Sequence, residues 1–153
     1  KYVDPEIQVK TIYVGTWDDP VKGKQAALQL YSQGVDVIFQ IASLTGAGVI
    51  QAAQEVGKYA IGVDSNQNSL APGHVITSML KEVGKSIEFV FKQIIDGTYK
   101  PGTLYKLGLK EEAVGLAIDE YTYQILPNET VEKILGIQKD VIEGKITVKE
   151  YRE

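Results

Sequence analysis

Hydrophobic and polar positions mark out the elements in order along the chain. Residues 7–15 alternate Ile7, Val9, Thr11 and Tyr13 with Gln8, Lys10, Ile12 and Val14, then stop at Gly15, a period of two that predicts a strand. Trp17-Asp18-Asp19-Pro20 follows, where an Asp can cap a helix and proline suits its first turn. That helix is expected to run to about Gln33, with Gly34 as its stop. The short apolar run 35–41 reads as a central strand buried on both faces. A small-residue loop, 42–46, leads to a helix through about Val56, and residues 59–63 form the next strand, ending at Asp64.

After a polar loop, residues 74–78 predict another strand. The helix expected over 79–97 carries the clearest periodic signal, because Leu80, Val83, Gly84, Ile87, Val90, Phe91, Ile94 and Ile95 recur at steps of three and four. Residues 104–109 and 113–118 read as short strands. A last helix starts after Pro127-Asn128, with Val131, Ile134, Leu135, Val141 and Ile142 inward, and closes at Gly144. Strands alternating with helices predict βαβ units with right-handed crossovers. The expected fold class is α/β, a doubly wound parallel sheet. The chain shows no internal repeat, low-complexity stretch or flexible linker.

Composition narrows the chemistry more than the fold. The 153 residues are 44% hydrophobic and 24% charged, with a formal net charge of -4, which gives no electrostatic reason to expect nucleic acid or an anionic membrane as partner. No apolar run approaches the ~18 residues of a membrane span. Cysteine is absent, so disulfides, Cys-ligated zinc and thiol catalysis are excluded. The single histidine, His74, opens a strand and reads as structural, and with it any two-histidine metal site or mechanism falls away. No cofactor or metal is expected. Lys1-Tyr2-Val3-Asp4-Pro5 reads like the middle of a longer protein.

Ligands of an open parallel sheet bind at the carboxyl ends of its strands, where crossovers leave a crevice and helix N-termini point inward. Just beyond the predicted strands lie Trp17, Asp18 and Asp19, then Ser43, Thr45 and Gly46, then Asp64, Ser65 and Asn66. An aromatic plate, exposed backbone amides and a carboxylate thus fall on one rim, which suits a flat ligand bearing vicinal hydroxyls. Each residue also has a plainer reading: Trp17 as core, Asp64 as a loop cap, Lys81 as a solvated helix lysine, Asp18 and Asp19 as helix caps. Asp64-x-Asn66-x-Asn68 imitates a calcium loop, but Ser69 stands where glycine is required and Val75 where glutamate is. Gly46-x-Gly48 is too short for a dinucleotide fingerprint, and Gly23-Lys24 lacks the rest of a phosphate loop. Asn128-Glu129-Thr130 matches a glycosylation acceptor by chance.

Five blocks in order carry a resemblance: Gly15-Thr16-Trp17-Asp18-Asp19-Pro20-Val21-Lys22-Gly23-Lys24, Gly34-Val35-Asp36-Val37-Ile38-Phe39, Thr45-Gly46-Ala47-Gly48-Val49, Ile61-Gly62-Val63-Asp64-Ser65-Asn66-Gln67 and Thr77-Ser78-Met79-Leu80-Lys81. Over almost its whole length the chain resembles the basic membrane protein family of ABC-transporter substrate-binding lipoproteins, to which purine nucleoside receptors belong. The resemblance implies a type I periplasmic-binding-protein fold, two Rossmann-like lobes hinged to close on a nucleoside, of which residues 1–153 are the C-terminal lobe. It implies that Trp17 stacks on the base, Asp64 holds the ribose hydroxyls and Lys81 makes a polar contact near the hinge. The loop from Ser43 to Gly46 would approach the ligand with its backbone. Ser43 and Leu44 depart from the glycines usual there, and the resemblance implies that the N-terminal lobe and the first strand and helix of this lobe lie upstream of Lys1. An ABC permease as partner and an extracytoplasmic, lipid-anchored or periplasmic location follow from the same resemblance.

The expected function is therefore solute binding without chemistry. An effector domain of a transcriptional regulator and a nucleoside-processing α/β enzyme are the alternatives; the first lacks a basic helix-turn-helix here and the second a nucleophile–base pair. The 79–97 stripe would normally pack toward the missing lobe. It is expected to lie exposed and to be covered by a second copy of the chain or by an exchanged segment.

Overall fold

The computed structural model describes residues 3–149. Its centre is a four-stranded sheet in the order β1 (Val37–Phe39), β2 (Tyr59–Asp64), β3 (Val75–Lys81), β4 (Val114–Leu116). The first three strands are parallel and β4 runs antiparallel to β3, so the sheet is mixed at one edge. Five α-helices flank it: α1 (Pro20–Ser32), α2 (Thr45–Glu55), α3 (Val83–Ile95), α4 (Glu120–Ile125) and α5 (Asn128–Ile142). The α/β class expected from the alternating pattern is the one observed.

Local chemistry accounts for α1 and α2. The Asp19 carboxylate accepts from the Lys22 amide at 3.0 Å, Pro20 opens α1, and Gly34 takes the left-handed φ of +86° beyond its end. The two helices then pack almost backbone to backbone. A Cβ on Gly23 would strike the Thr45 carbonyl, and one on Gly48 would strike that of Pro20, so only glycine allows the approach. Small side chains continue the theme: Ala27, Ala52, Ala53, Ala60 and Ala71 are buried with Tyr31, Val49, Ile50 and Val75 in one core cluster. The Tyr31 phenol donates to the Tyr59 carbonyl at 2.7 Å, and burial pushes its pKa up from the usual 10.0.

Several expectations are corrected. Residues 7–15 are not a strand: they join no ladder, and Val9 and Tyr13 are exposed. Alternation marks a segment able to pair, but a strand exists only where a neighbouring edge receives it. Residues 35–41 do not form a strand buried on both faces. β1 is three residues long at the sheet edge, with Val37 and Phe39 exposed, because an apolar run cannot say how many neighbours it has. β3 continues to Lys81, so Met79, Leu80 and Lys81 belong to a strand and α3 starts at Val83. Residues 104–109 are not a strand, and β4 occupies only part of 113–118. Of the inward positions expected in α5, Val131 is buried, Ile134 and Val141 are half-buried, and Leu135 and Ile142 are exposed.

The apolar stripe of α3 is exposed, as expected. No α3 residue is buried, and Val83, Ile87, Phe91, Ile94 and Ile95 are each more than half exposed, Ile95 by 81%. Its polar side is laced by Lys85–Glu88 and Lys92–Glu88 ion pairs.

Candidate functional site

The parallel strands all end on one side of the sheet, and three connecting segments meet there. Residues 15–19 enter α1, residues 40–44 leave β1, and residues 64–68 leave β2. Lys81, at the end of β3, is paired in register with Val114 on the same side.

Two of these segments are tied through Thr45. Its amide donates to the Trp17 carbonyl at 3.1 Å, and its hydroxyl accepts from the Asp19 amide at 2.9 Å and donates to the Thr16 carbonyl at 3.2 Å. Thr45 is completely buried, so these bonds occupy it as a latch between loops. The latch leaves Trp17 standing 66% exposed beside the turn at Ser43. Ser43 itself is exposed and held at a φ of +50°. Gly46 is buried with its amide on the Ser43 carbonyl at 3.0 Å, and a Cβ there would collide with the Gln40 side chain.

Asp64 ends β2 at a φ of +66°, a left-handed conformation that a non-glycine residue adopts at some cost. Its carboxylate is exposed and has no partner among the described residues, and the same holds for the Lys81 ammonium. The structure thus brings Trp17, Ser43, Asp64 and Lys81 to one rim as exposed groups, while Thr45 and Gly46 support it from beneath. Asp18 and Asp19 serve locally: Asp18 accepts from the Thr16 hydroxyl at 2.6 Å, and Asp19 caps α1. His74 Nδ1 lies 3.0 Å from the Lys58 carbonyl, which is a structural role. No group of acidic or histidine side chains among the described residues is placed to hold a metal ion.

Sequence reasoning missed the polar network under the rim. The Gln40 amide donates to Gln67 Oε1 at 2.8 Å, and that oxygen also accepts from the Val63 amide at 3.0 Å. The Gln67 amide donates to the Ser78 hydroxyl at 3.0 Å, which donates in turn to Asn68 Oδ1 at 2.8 Å. Asn68 Nδ2 reaches the Ala117 carbonyl, Asp119 and Thr122, and Asn66 Nδ2 donates to the second Asp119 oxygen at 2.8 Å. Burial raises the Asp119 pKa, but hydrogen bonds from Asn66, Asn68 and the Thr122 and Tyr121 amides outweigh it and hold the carboxyl below its ordinary 3.8. Every buried side-chain polar atom among the described residues has a partner. The available signal was Thr77-Ser78 inside an otherwise apolar strand, since buried hydroxyls imply nearby acceptors.

Trp17, Ser43, Asp64 and Lys81 all face solvent at the rim. Two concavities, of about 300 and 370 Å³, lie elsewhere, one against Tyr123, Val131 and Leu135 and the other along α3.

A family model for ABC transporter substrate-binding proteins of the PnrA-like kind, Bmp, matches residues 1–152. The chain belongs to the Bmp family. Among curated Bmp relatives, basic membrane protein D of Borreliella burgdorferi is 39% identical over 151 residues, covering 97% of this chain and 44% of that protein. Basic membrane protein A of Borreliella afzelii is 34% identical over 156 residues, covering all of this chain and 47% of its own length. The chain therefore spans about half the length of the curated relatives it matches. A crystal structure of an ABC transporter solute-binding protein from Aeropyrum pernix superposes with a TM-score of 0.75 at 26% identity, over 93% of this chain and 48% of that one. A transcriptional activator of the comK gene from Bacillus halodurans superposes with a TM-score of 0.77 at 25% identity, over 90% of this chain and 47% of that one. Among the described residues, no helix is long and apolar enough to cross a membrane.

Proposed function

We propose that this Bmp chain is the C-terminal lobe of a solute-binding protein that closes on a purine nucleoside and delivers it to an ABC permease, without chemistry. The observation that carries this reading is the convergence of Trp17, Asp64 and Lys81 as exposed groups with unengaged side chains at the carboxyl end of a parallel sheet. Trp17 offers a face for a purine, Asp64 can accept from two ribose hydroxyls, and Lys81 adds a donor at the edge. The Ser43–Gly46 turn supplies backbone at close range. The exposure of these groups supports a two-walled site, because enclosing most of a small ligand needs a second surface. In this reading the intact protein works outside the cytoplasm, held at the membrane by a lipid anchor or free in the periplasm. The apolar face of α3, turned toward the other lobe in the intact protein, is covered in the isolated chain by a second copy or an exchanged segment.

Calorimetric titration of the full-length protein with inosine, adenosine, free bases and sugars tests the reading. Saturable binding of purine nucleosides with the nucleoside recovered unchanged is expected. Release of free base and ribose would instead identify an enzyme, and silence toward every nucleoside would refute the ligand assignment.

A further inference from the structure

The loop that carries Asp64 is held at Asn66 by Asp119, from an element distant in sequence, while Gln67 behind it is held by Ser78 and Gln40. Asp64 leaves β2 in a left-handed conformation, and the Ser65 amide turns back onto the Val63 carbonyl at 2.8 Å. Ser65 makes no side-chain hydrogen bond among the described residues, and the turn is braced from within by Gln67 Oε1, which accepts from the Val63 amide at 3.0 Å. The next residue is held firmly. Asn66 Nδ2 donates to Asp119 Oδ2 at 2.8 Å, while Asn66 Oδ1 accepts from the Asn68 amide at 2.9 Å.

The other Asp119 oxygen is already occupied. Oδ1 accepts from the Tyr121 amide at 3.0 Å and the Thr122 amide at 3.2 Å as the N-cap of α4, and from Asn68 Nδ2 at 3.0 Å. The carboxylate is thus divided in function. One oxygen caps a helix and anchors buried Asn68, and the other reaches only the exposed rim loop. We propose that Asp119 is a positioning residue for the solute site, fixing the Asp64 turn in its binding conformation through Asn66. The inference rests on the reading of the rim as a nucleoside-binding wall. Its physical content is preorganisation: a loop already ordered before the solute arrives loses less conformational freedom on binding.

The division of the two oxygens gives a selective test. Asp119→Asn can keep Oδ1 on the α4 amides and Asn68 while turning an NH2 toward Asn66 Nδ2, donor against donor. The reversed pair, Asn66→Asp with Asp119→Asn, restores one donor facing one acceptor at unchanged net charge. The experiment titrates inosine into the full-length protein, its D119N, N66D and N66D/D119N variants, and an Asp64→Ala control. D119N and N66D are each expected to weaken inosine by about three- to tenfold, the worth of one hydrogen bond. The double variant is expected to return to within about twofold of the parent, and faster amide exchange over 64–66 in D119N is expected to be reversed in it. A merely structural Asp119 would shift the melting temperature without this pairwise recovery. Unchanged affinity in D119N with loss in D64A overturns the positioning role alone. Unchanged affinity in both overturns the site reading together with it.

Discussion

Single residues at the rim divide into those that present themselves and those that hold others in place. Trp17 presents itself, and Trp17→Ala in the full-length protein is expected to weaken nucleoside binding by the ~1–3 kcal/mol typical of stacking a base on an aromatic ring, read by calorimetry. Gly48 holds others, because its missing Cβ lets α2 approach the Pro20 carbonyl. Gly48→Ala is expected to destabilise the fold by about 1–3 kcal/mol in urea titrations, the usual cost of overpacking. Asp119 gives a pH signature. Its carboxyl is held below 3.8 in the folded chain, so its ionised form stabilises the fold above that value. This contribution is lost as pH falls through the lower folded pKa. The urea midpoint of D119N should therefore fall less steeply than that of the parent on acidification below pH ~4.

At the scale of elements, the legibility of the sequence tracks how local the cause is. α1 is readable to within a residue because its Asp19 cap, Pro20 and Gly34 act on their own neighbours, and α2, which has no side-chain cap, from the small-residue loop that leads into it. Residues 7–15 and 35–41 were misread because pairing and edge position depend on what lies alongside. Leu80 and Lys81 were given to α3 because Leu80 falls in phase with its stripe, although β4 recruits both residues into the sheet. α4 went unread; it is six residues long and is set by the Asp119 cap rather than by any periodicity. α3 itself yields a prediction. Ile87 is half exposed, so Ile87→Glu is expected to change the urea midpoint of the isolated chain little while lowering its apparent mass in light scattering. A chain that is monomeric before the substitution would refute the proposed cover.

For the molecule as a whole, two surfaces lie exposed, the rim and the apolar face of α3. Both stand exposed in a chain that spans about half of the relatives it matches. The isolated chain is expected to show little or no stabilisation by inosine in a thermal-shift assay, where the full-length protein shifts clearly, because one wall buries too little of a small ligand. An equal shift in both would place the complete site within this chain.

The sequence by itself determined the α/β class, the family, the capped α1 and the residues that follow β1 and β2, since all of these follow from short-range periodicity or contiguous motifs. It also determined that α3 has an apolar face, though not what meets it. Tertiary structure alone decided which strand is an edge, that Thr45 and Gly46 are buried supports rather than exposed contacts, and that Asn66, Asn68 and Asp119 form one network. Those three residues are brought together across more than fifty positions of chain, by hydrogen bonds whose partners no local pattern names.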